Sequence, residues 1–313
     1  MRLLLLGCTG LVGRELIPML LQQGHELTVV SRRPEAVRME LGAAEVTWVG
    51  VDPAQSSSWE KAGALHAALE AAEGVVNLAG EPIAEQRWTP EHLKRLFDSR
   101  IATTEHLVQA MAGLEQPPSV LVNASAVGFY GTSETASFVE SSAGGDDVLG
   151  RLCQAWEAAA AQKPLATRLV VVRIGIVLAG DGGALGKMLP VFRAGFGGPI
   201  GTGRQWMSWI HRTDLCRLIQ TALETPAWSG VVNGVAPKPV SMGEFASTLG
   251  RCLGRPSLLP VPGPVLHLLL GDGARVVLDG QQVRSERLEP LGFRFSHPDL
   301  IEALASATKT SRR

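Results

Sequence analysis

From residue 2 to about residue 180, short apolar runs alternate with longer amphipathic segments, the pattern of a parallel sheet flanked by helices. The apolar runs predict strands at 3–6, 27–30, 46–49, 75–78, 120–123 and 169–174, and helices fit between them at 11–23, 57–72, 90–113 and 146–162. The helix from Pro90 has two start signals, Thr89 as its N-cap and proline at its first position. After residue 180 the texture changes. Eight glycines between Gly182 and Gly203 are followed by a helix-like segment at 214–224, a short VVNGVAP run and a proline-marked tail. Because this region also carries Trp206, Met207 and Trp209, it reads as loops that cover a ligand and not as a linker. The expected division is a sheet domain over 1–180, to which later segments return, and a substrate-side region over 181–313.

Composition narrows the class of ligand. The 313 residues carry a net charge of -1, so no charge field points to nucleic acid or an acidic membrane, and a small molecule is the expected partner. The four cysteines lie far apart with no C-x-x-C spacing, which suggests neither zinc nor a disulfide framework. Reduced thiols in a cytoplasmic compartment fit best. The opening MRLLLLG is shorter than a signal h-region, and no apolar stretch approaches the roughly 20 residues of a membrane span.

Gly7-Cys8-Thr9-Gly10-Leu11-Val12-Gly13 follows a predicted strand and opens a predicted helix. In a dinucleotide site the first glycine permits the tight turn, the second lets backbone approach a pyrophosphate, and the third allows close helix packing. The free N–H groups and positive dipole end of the helix then face the phosphates. At the end of the second strand, where a carboxylate would select NAD, stand Ser31, Arg32 and Arg33, with no acid until Glu35. Two guanidinium groups suit a 2′-phosphate, so NADP(H) is the expected cofactor. Asp52 either accepts from the adenine amine or serves turn chemistry. Leu78, Ala79 and Gly80 are small enough to lie against the adenine ribose, and Glu81 and Arg87 are expected as loop contacts to the ligand.

These residues resemble the extended short-chain dehydrogenase/reductases, which include nucleotide-sugar epimerases and dehydratases. "NLAGEPIAEQRW", "DSRI", "NASAVGFYG", "GGPIGTGRQWMSWIH" and "GFRFSHPDL" resemble more narrowly their atypical, epimerase-like members, sometimes labelled as cell-division-inhibitor-related. The likeness covers nearly the whole chain. It implies an α/β fold with a Rossmann-type doubly wound parallel sheet, NADP binding, and a smaller C-terminal substrate-side domain. Monomer and homodimer both remain open.

The superfamily's dehydrogenases use a tyrosine, a lysine four residues later, and a serine. A tyrosine with a pKa of about 10 needs that lysine to be a base at neutral pH. Tyr130, the only tyrosine, is followed at that distance by Glu134, and it matches instead a tyrosine that lines the substrate side. On the helix after the fifth strand the relay positions read Cys153 and Glu157, and the carboxylate would raise a thiol pKa where lysine would lower it. Ser125 matches the catalytic serine only with one residue inserted; it either orients a substrate oxygen or ends a buried strand.

Among other candidates, Arg173 interrupts an apolar strand and needs a ligand or an ion pair. His211 reads as a packed, hydrogen-bonded histidine ahead of a general base, and Asp214 as a cap. Trp206 and Trp209 are pocket wall or core, Lys94 a solvated charge, and Arg100 a residue facing the crevice. Two functions fit: an NADP(H)-dependent oxidoreductase or epimerase-like enzyme, or a non-catalytic NADP(H)-binding regulator of a protein partner.

Overall fold

Seven strands pair into one sheet in the computed structural model, which describes residues 1–36 and 45–310. They are β1 (Arg2–Leu6), β2 (Glu26–Ser31), β3 (Thr47–Gly50), β4 (Gly74–Asn77), β5 (Val120–Ala126), β6 (Arg168–Ile174) and β7 (Gly230–Gly234). Their order is β7-β6-β5-β4-β1-β2-β3, with every pairing parallel. All six sequence-predicted strands are present, and β7 is the VVNGVAP run.

The strands read as unbroken apolar runs because both faces of the sheet are covered. In β1, Leu3 and Leu5 pack with Leu16, Ile17 and Leu20 of α1 (Gly13–Gln22) and with Leu215 and Ile219 of α7 (Arg212–Glu224). Leu4 and Leu6, pointing the other way, pack with Leu65 and Leu69 of α2 (Ala64–Ala71) and with Leu107 and Met111 of α4 (Ile101–Ala112).

Two expected helices are shorter than their patterns. The 57–72 segment divides into a 3-10 turn (Ser56–Trp59) and α2, whose N-cap Gly63 is extended. The 90–113 segment breaks between α3 (Pro90–Asp98), capped as expected by Thr89, and α4. At that break Ser99 Oγ accepts from Glu81 N at 2.9 Å, and Arg100 is buried.

After β6 the chain leaves the sheet and comes back. Ile176–Leu178 pairs with Trp209–His211, then α7 and β7 rejoin the sheet. A second core holds the remainder: Leu189 and Phe192 of α6 (Gly183–Arg193), Trp209, Phe245 and Leu249 of α8 (Met242–Leu253), and Leu304 of the last helix (Leu300–Thr310).

Candidate functional site

β1 and β4 are neighbours, yet β2 and β3 continue the sheet on one side and β5 to β7 on the other. A crevice opens at such a switch point beyond the strand ends. The three glycines after β1 divide their work. Gly7 has φ +70°, and a Cβ there would lie 2.3 Å from Ala79 N, while a Cβ on Gly13 would lie 1.7 Å from Cys8 O. Both are demanded by backbone packing. A Cβ on Gly10 meets nothing within 4 Å, and no side chain caps α1 at Val12, so this turn offers open space and a bare helix N-terminus to a ligand.

Two cavities meet there, sharing Gly7, Gly10 and Gly80. One, of about 200 Å³, runs past Thr9 to Ser31, Arg32, Asp52, Ala79 and Glu81. The other, of about 430 Å³, runs past Leu11, Val12 and Leu78 to Ser125 and Cys153. The pair forms one elongated cleft.

At the first end Arg32 lines the wall, with Nη2 3.7 Å from Glu81 Oε2. Arg33 lines neither cavity, and its backbone N–H donates to Ser31 Oγ at 3.1 Å. Of the two arginines expected at this wall, Arg32 is the one that lines it. Asp52 lines the cleft, and its Oδ1 accepts from Ala54 N at 3.1 Å, the turn chemistry expected of it. Beneath the floor, Asn77 Nδ2 donates to Thr104 Oγ1 (2.9 Å) and Asn123 Oδ1 (2.8 Å), and its Oδ1 accepts from Ala79 N (3.2 Å). This buried network fixes the Leu78-Ala79-Gly80 turn. Arg87, expected at the ligand, instead lies exposed against Gly271, where a Cβ would meet its Nε at 2.8 Å.

The other end is bordered by Ser125 of β5 and by Cys153 and Glu157 of α5 (Val148–Ala161). Ser125 Oγ donates to Glu157 Oε1 at 2.6 Å, and Arg173 clamps the same carboxylate through Nε and Nη2, both at 2.8 Å. Arg173 Nη1 also donates to Tyr130 Oη (2.9 Å), which donates to Asn233 Oδ1 (2.7 Å). Arg173, expected at the cofactor, is a buried cation whose charge is met by Glu157, and it lines neither part of the cleft. Tyr130 is the residue expected on the substrate side. It is buried between the rings of Phe129 and Phe138, lines neither part of the cleft, and burial raises its pKa.

Cys153 does line the cleft. Burial first, with the Glu157 charge adding, pushes its thiol up to about 11, so it stays protonated at neutral pH. Ser125 spends its proton on Glu157 and therefore presents lone pairs to a ligand where a carbonyl would want a donor. The Glu157–Ser125–Arg173 linkage is absent from the sequence reading. Its only signals were an arginine inside an apolar strand and an acid on the helix that follows β5.

Trp206 lines the cleft, whereas Trp209 is core, its Nε1 donating to Lys238 O at 3.0 Å. Lys94 pairs with Asp98 on an exposed face, and Arg100 lines the larger cavity with Ser125 and Cys153. His211 Nδ1 caps α7 by accepting from Thr213 N at 3.2 Å. Asp214 is not the cap: its carboxylate accepts from Ser296 N (2.7 Å) and His297 N (2.8 Å), tying down the C-terminal segment. Among the described residues no group of acidic, histidine or cysteine side chains has the spacing to hold a metal, and no helix is long and apolar enough to cross a membrane.

Comparison with known proteins gives a consistent picture. The model of the NAD dependent epimerase/dehydratase family matches residues 3–233, and that of a domain of unknown function, DUF1731, matches 261–307. The chain is 43% identical over 300 residues to the chloroplastic epimerase family protein SDR39U1 homolog of Arabidopsis thaliana, covering 95% of this chain and 84% of that one. It is 41% identical over 308 residues to human epimerase family protein SDR39U1, covering 97% and 98%. The crystal structure of human SDR39U1 isoform 2 with NADPH superposes with a TM-score of 0.88 at 39% identity, over 99% of both chains. UDP-glucuronic acid 4-epimerase from Bacillus cereus, with NAD, shares the fold at a TM-score of 0.76 and 16% identity, over 99% of both chains.

Proposed function

The chain belongs to the NAD dependent epimerase/dehydratase family, and from that premise we propose that it is an NADP(H)-binding oxidoreductase or epimerase-like enzyme acting on a small polar molecule. The observation that carries the reading is the continuity of the cleft: it runs from Arg32, past the open face of Gly10, to a chamber lined by Ser125, Cys153 and Trp206. When bound, the cofactor supplies or takes up a hydride. The N–H groups of the Gly10-to-Val12 turn receive the pyrophosphate, with the α1 dipole favouring its charge. Arg32 receives the 2′-phosphate, and Ala79 and Gly80 lie along the ribose. In the chamber Ser125 Oγ accepts a hydrogen bond from a substrate hydroxyl and holds it in register, its own proton remaining on the Glu157 side.

A second reading is favoured by one specific observation. The Cys153 thiol stays protonated at neutral pH and the Glu157 carboxylate is engaged by Arg173 and Ser125, so neither is placed as a proton relay, which suits an NADP(H)-responsive regulator of a protein partner. NADPH oxidation against aldehydes, ketones, quinones and nucleotide sugars decides between them. Turnover lost in Ser125→Ala supports the enzyme; tight NADPH binding without turnover on any of the panel supports the regulator.

A further inference from the structure

We propose that Arg100 is the receptor for an anionic group of the substrate, a carboxylate or phosphate, at the reaction end of the cleft. The proposal rests on the NADP(H) reading above and adds the substrate's charge to it.

Among the described residues three arginines are buried: Arg100, Arg173 and Arg212. Two of them carry their counter-charge with them. Arg173 holds Glu157, and Arg212 holds Glu15 at 2.7 Å and Asp181 at 2.7 Å. Arg100 has no carboxylate within ion-pair distance among the described residues. The one hydrogen bond of its guanidinium there runs from Nη1 to Leu96 O at 3.2 Å, and the Trp156 ring lies 5.4 Å from Cζ. The nearby Glu81 carboxylate is turned to Arg32.

The fold takes trouble to hold this cation at the cleft. The α3/α4 break carries Arg100 inward, and Gly80 is bare where a Cβ would stand 2.7 Å from its Cζ and 2.8 Å from its Nη2. The Nε and Nη2 edge has no acceptor among the described residues, and two adjacent N–H donors match the two oxygens of a carboxylate or phosphate. Burial pulls the Arg100 pKa down only to about 10, so the group is charged at neutral pH. A buried guanidinium without a counter-ion is costly unless a ligand brings one. Ser125, Cys153 and Trp156 line the same cavity.

The dinucleotide's pyrophosphate is the other anion that could reach this cavity, and the test separates the two sources. NADPH affinity is measured first by fluorescence. The NADPH-saturated protein is then titrated with oxalate and, separately, inorganic phosphate, following NADPH fluorescence and the arginine Nε–H resonances of 15N-labelled protein. The expected result is saturable binding that shifts the Arg100 Nε–H resonance and weakens about tenfold or more in Arg100→Gln, with NADPH affinity unchanged. Anion binding equal in wild type and R100Q, or no saturable binding to the wild type, overturns the proposal. So does a tenfold loss of NADPH affinity in R100Q, which would assign Arg100 to the pyrophosphate. Should R100Q not fold, the wild-type resonance decides alone: no shift with either anion overturns it. A wild-type protein that binds no NADPH fails at the first titration, which identifies the cofactor reading as the one at fault.

Discussion

Ser125 and Glu157 are joined by a 2.6 Å hydrogen bond in which the hydroxyl donates, and the accepting oxygen also receives Arg173 Nε at 2.8 Å. Glu157, which the resemblance sets at the position of the superfamily's lysine, is the anionic half of a largely buried ion pair. Replacing it therefore does more than change a catalytic residue. Glu157→Gln leaves Arg173 as an uncompensated buried cation and is expected to lower unfolding free energy by about 3 kcal/mol, measured by urea denaturation. Rebuilding the relay as Cys153→Tyr with Glu157→Lys would set ammonium beside guanidinium and should destabilise further. Adding Arg173→Met should recover part of that loss. A double variant as stable as the wild type would contradict the ion-pair account.

The glycines after β1 can be separated by experiment, because only one of them faces empty space. Gly13→Ala drives a methyl to 1.7 Å from Cys8 O and is expected to prevent folding or cost more than about 4 kcal/mol. Gly10→Val should fold with a melting temperature close to wild type, yet lose NADPH affinity by about tenfold or more, since its side chain enters the ligand's space. Thermal denaturation paired with fluorescence titration reads both. Equal effects of the two substitutions on stability would undo the distinction.

Cofactor selectivity is expected to rest on one arginine. Arg32→Ala should weaken NADPH by about 10- to 100-fold, the range of a charge-assisted contact to phosphate, while NADH changes by less than about twofold. Arg33→Ala should leave both nearly unchanged, because Arg33 lines neither cavity. Calorimetric titration of each dinucleotide into each variant checks this, and a large Arg33 effect would reverse the assignment.

The parallel sheet and the glycine turn after β1 were legible in the sequence for a physical reason. Strands covered on both faces are apolar at every position, as in Leu3–Leu6, and a glycine turn between strand and helix is a local event. What could not be read was set by distant packing. The residues from 98 to 101 sit in a continuous helical pattern, and the break there comes with the burial of Arg100 beside Gly80. Arg173 was visible as an anomaly, but its partner Glu157 is fixed only once the helix after β5 lies over the sheet. The direction in which Arg32 and Arg33 leave β2 is likewise a matter of backbone geometry, which residue type does not encode.

His211 gives the fold a specific sensitivity to acid. Its Nδ1 accepts the Thr213 N–H that starts α7, so the cap requires a neutral ring with the proton on Nε2. Burial first, then the His297 ring stacked 3.9 Å away, holds its pKa down from 6.5 to about 4, with Arg212 acting the same way and Glu15 and Asp214 opposing. Below 6.5 the unfolded chain takes up a proton that the folded chain refuses, so stability from this residue is complete above 6.5 and falls as pH drops toward about 4. After allowance for partial solvent screening the loss is about 2 kcal/mol. Asparagine retains an N-cap acceptor and does not titrate, so His211→Asn should keep most of the stability at pH 7 and show a shallower decline on acidification. Urea unfolding free energies of both proteins at several values across that interval provide the comparison, with contributions from the common carboxylates cancelling. Parallel curves for variant and wild type would mean that His211 is not held neutral by the fold.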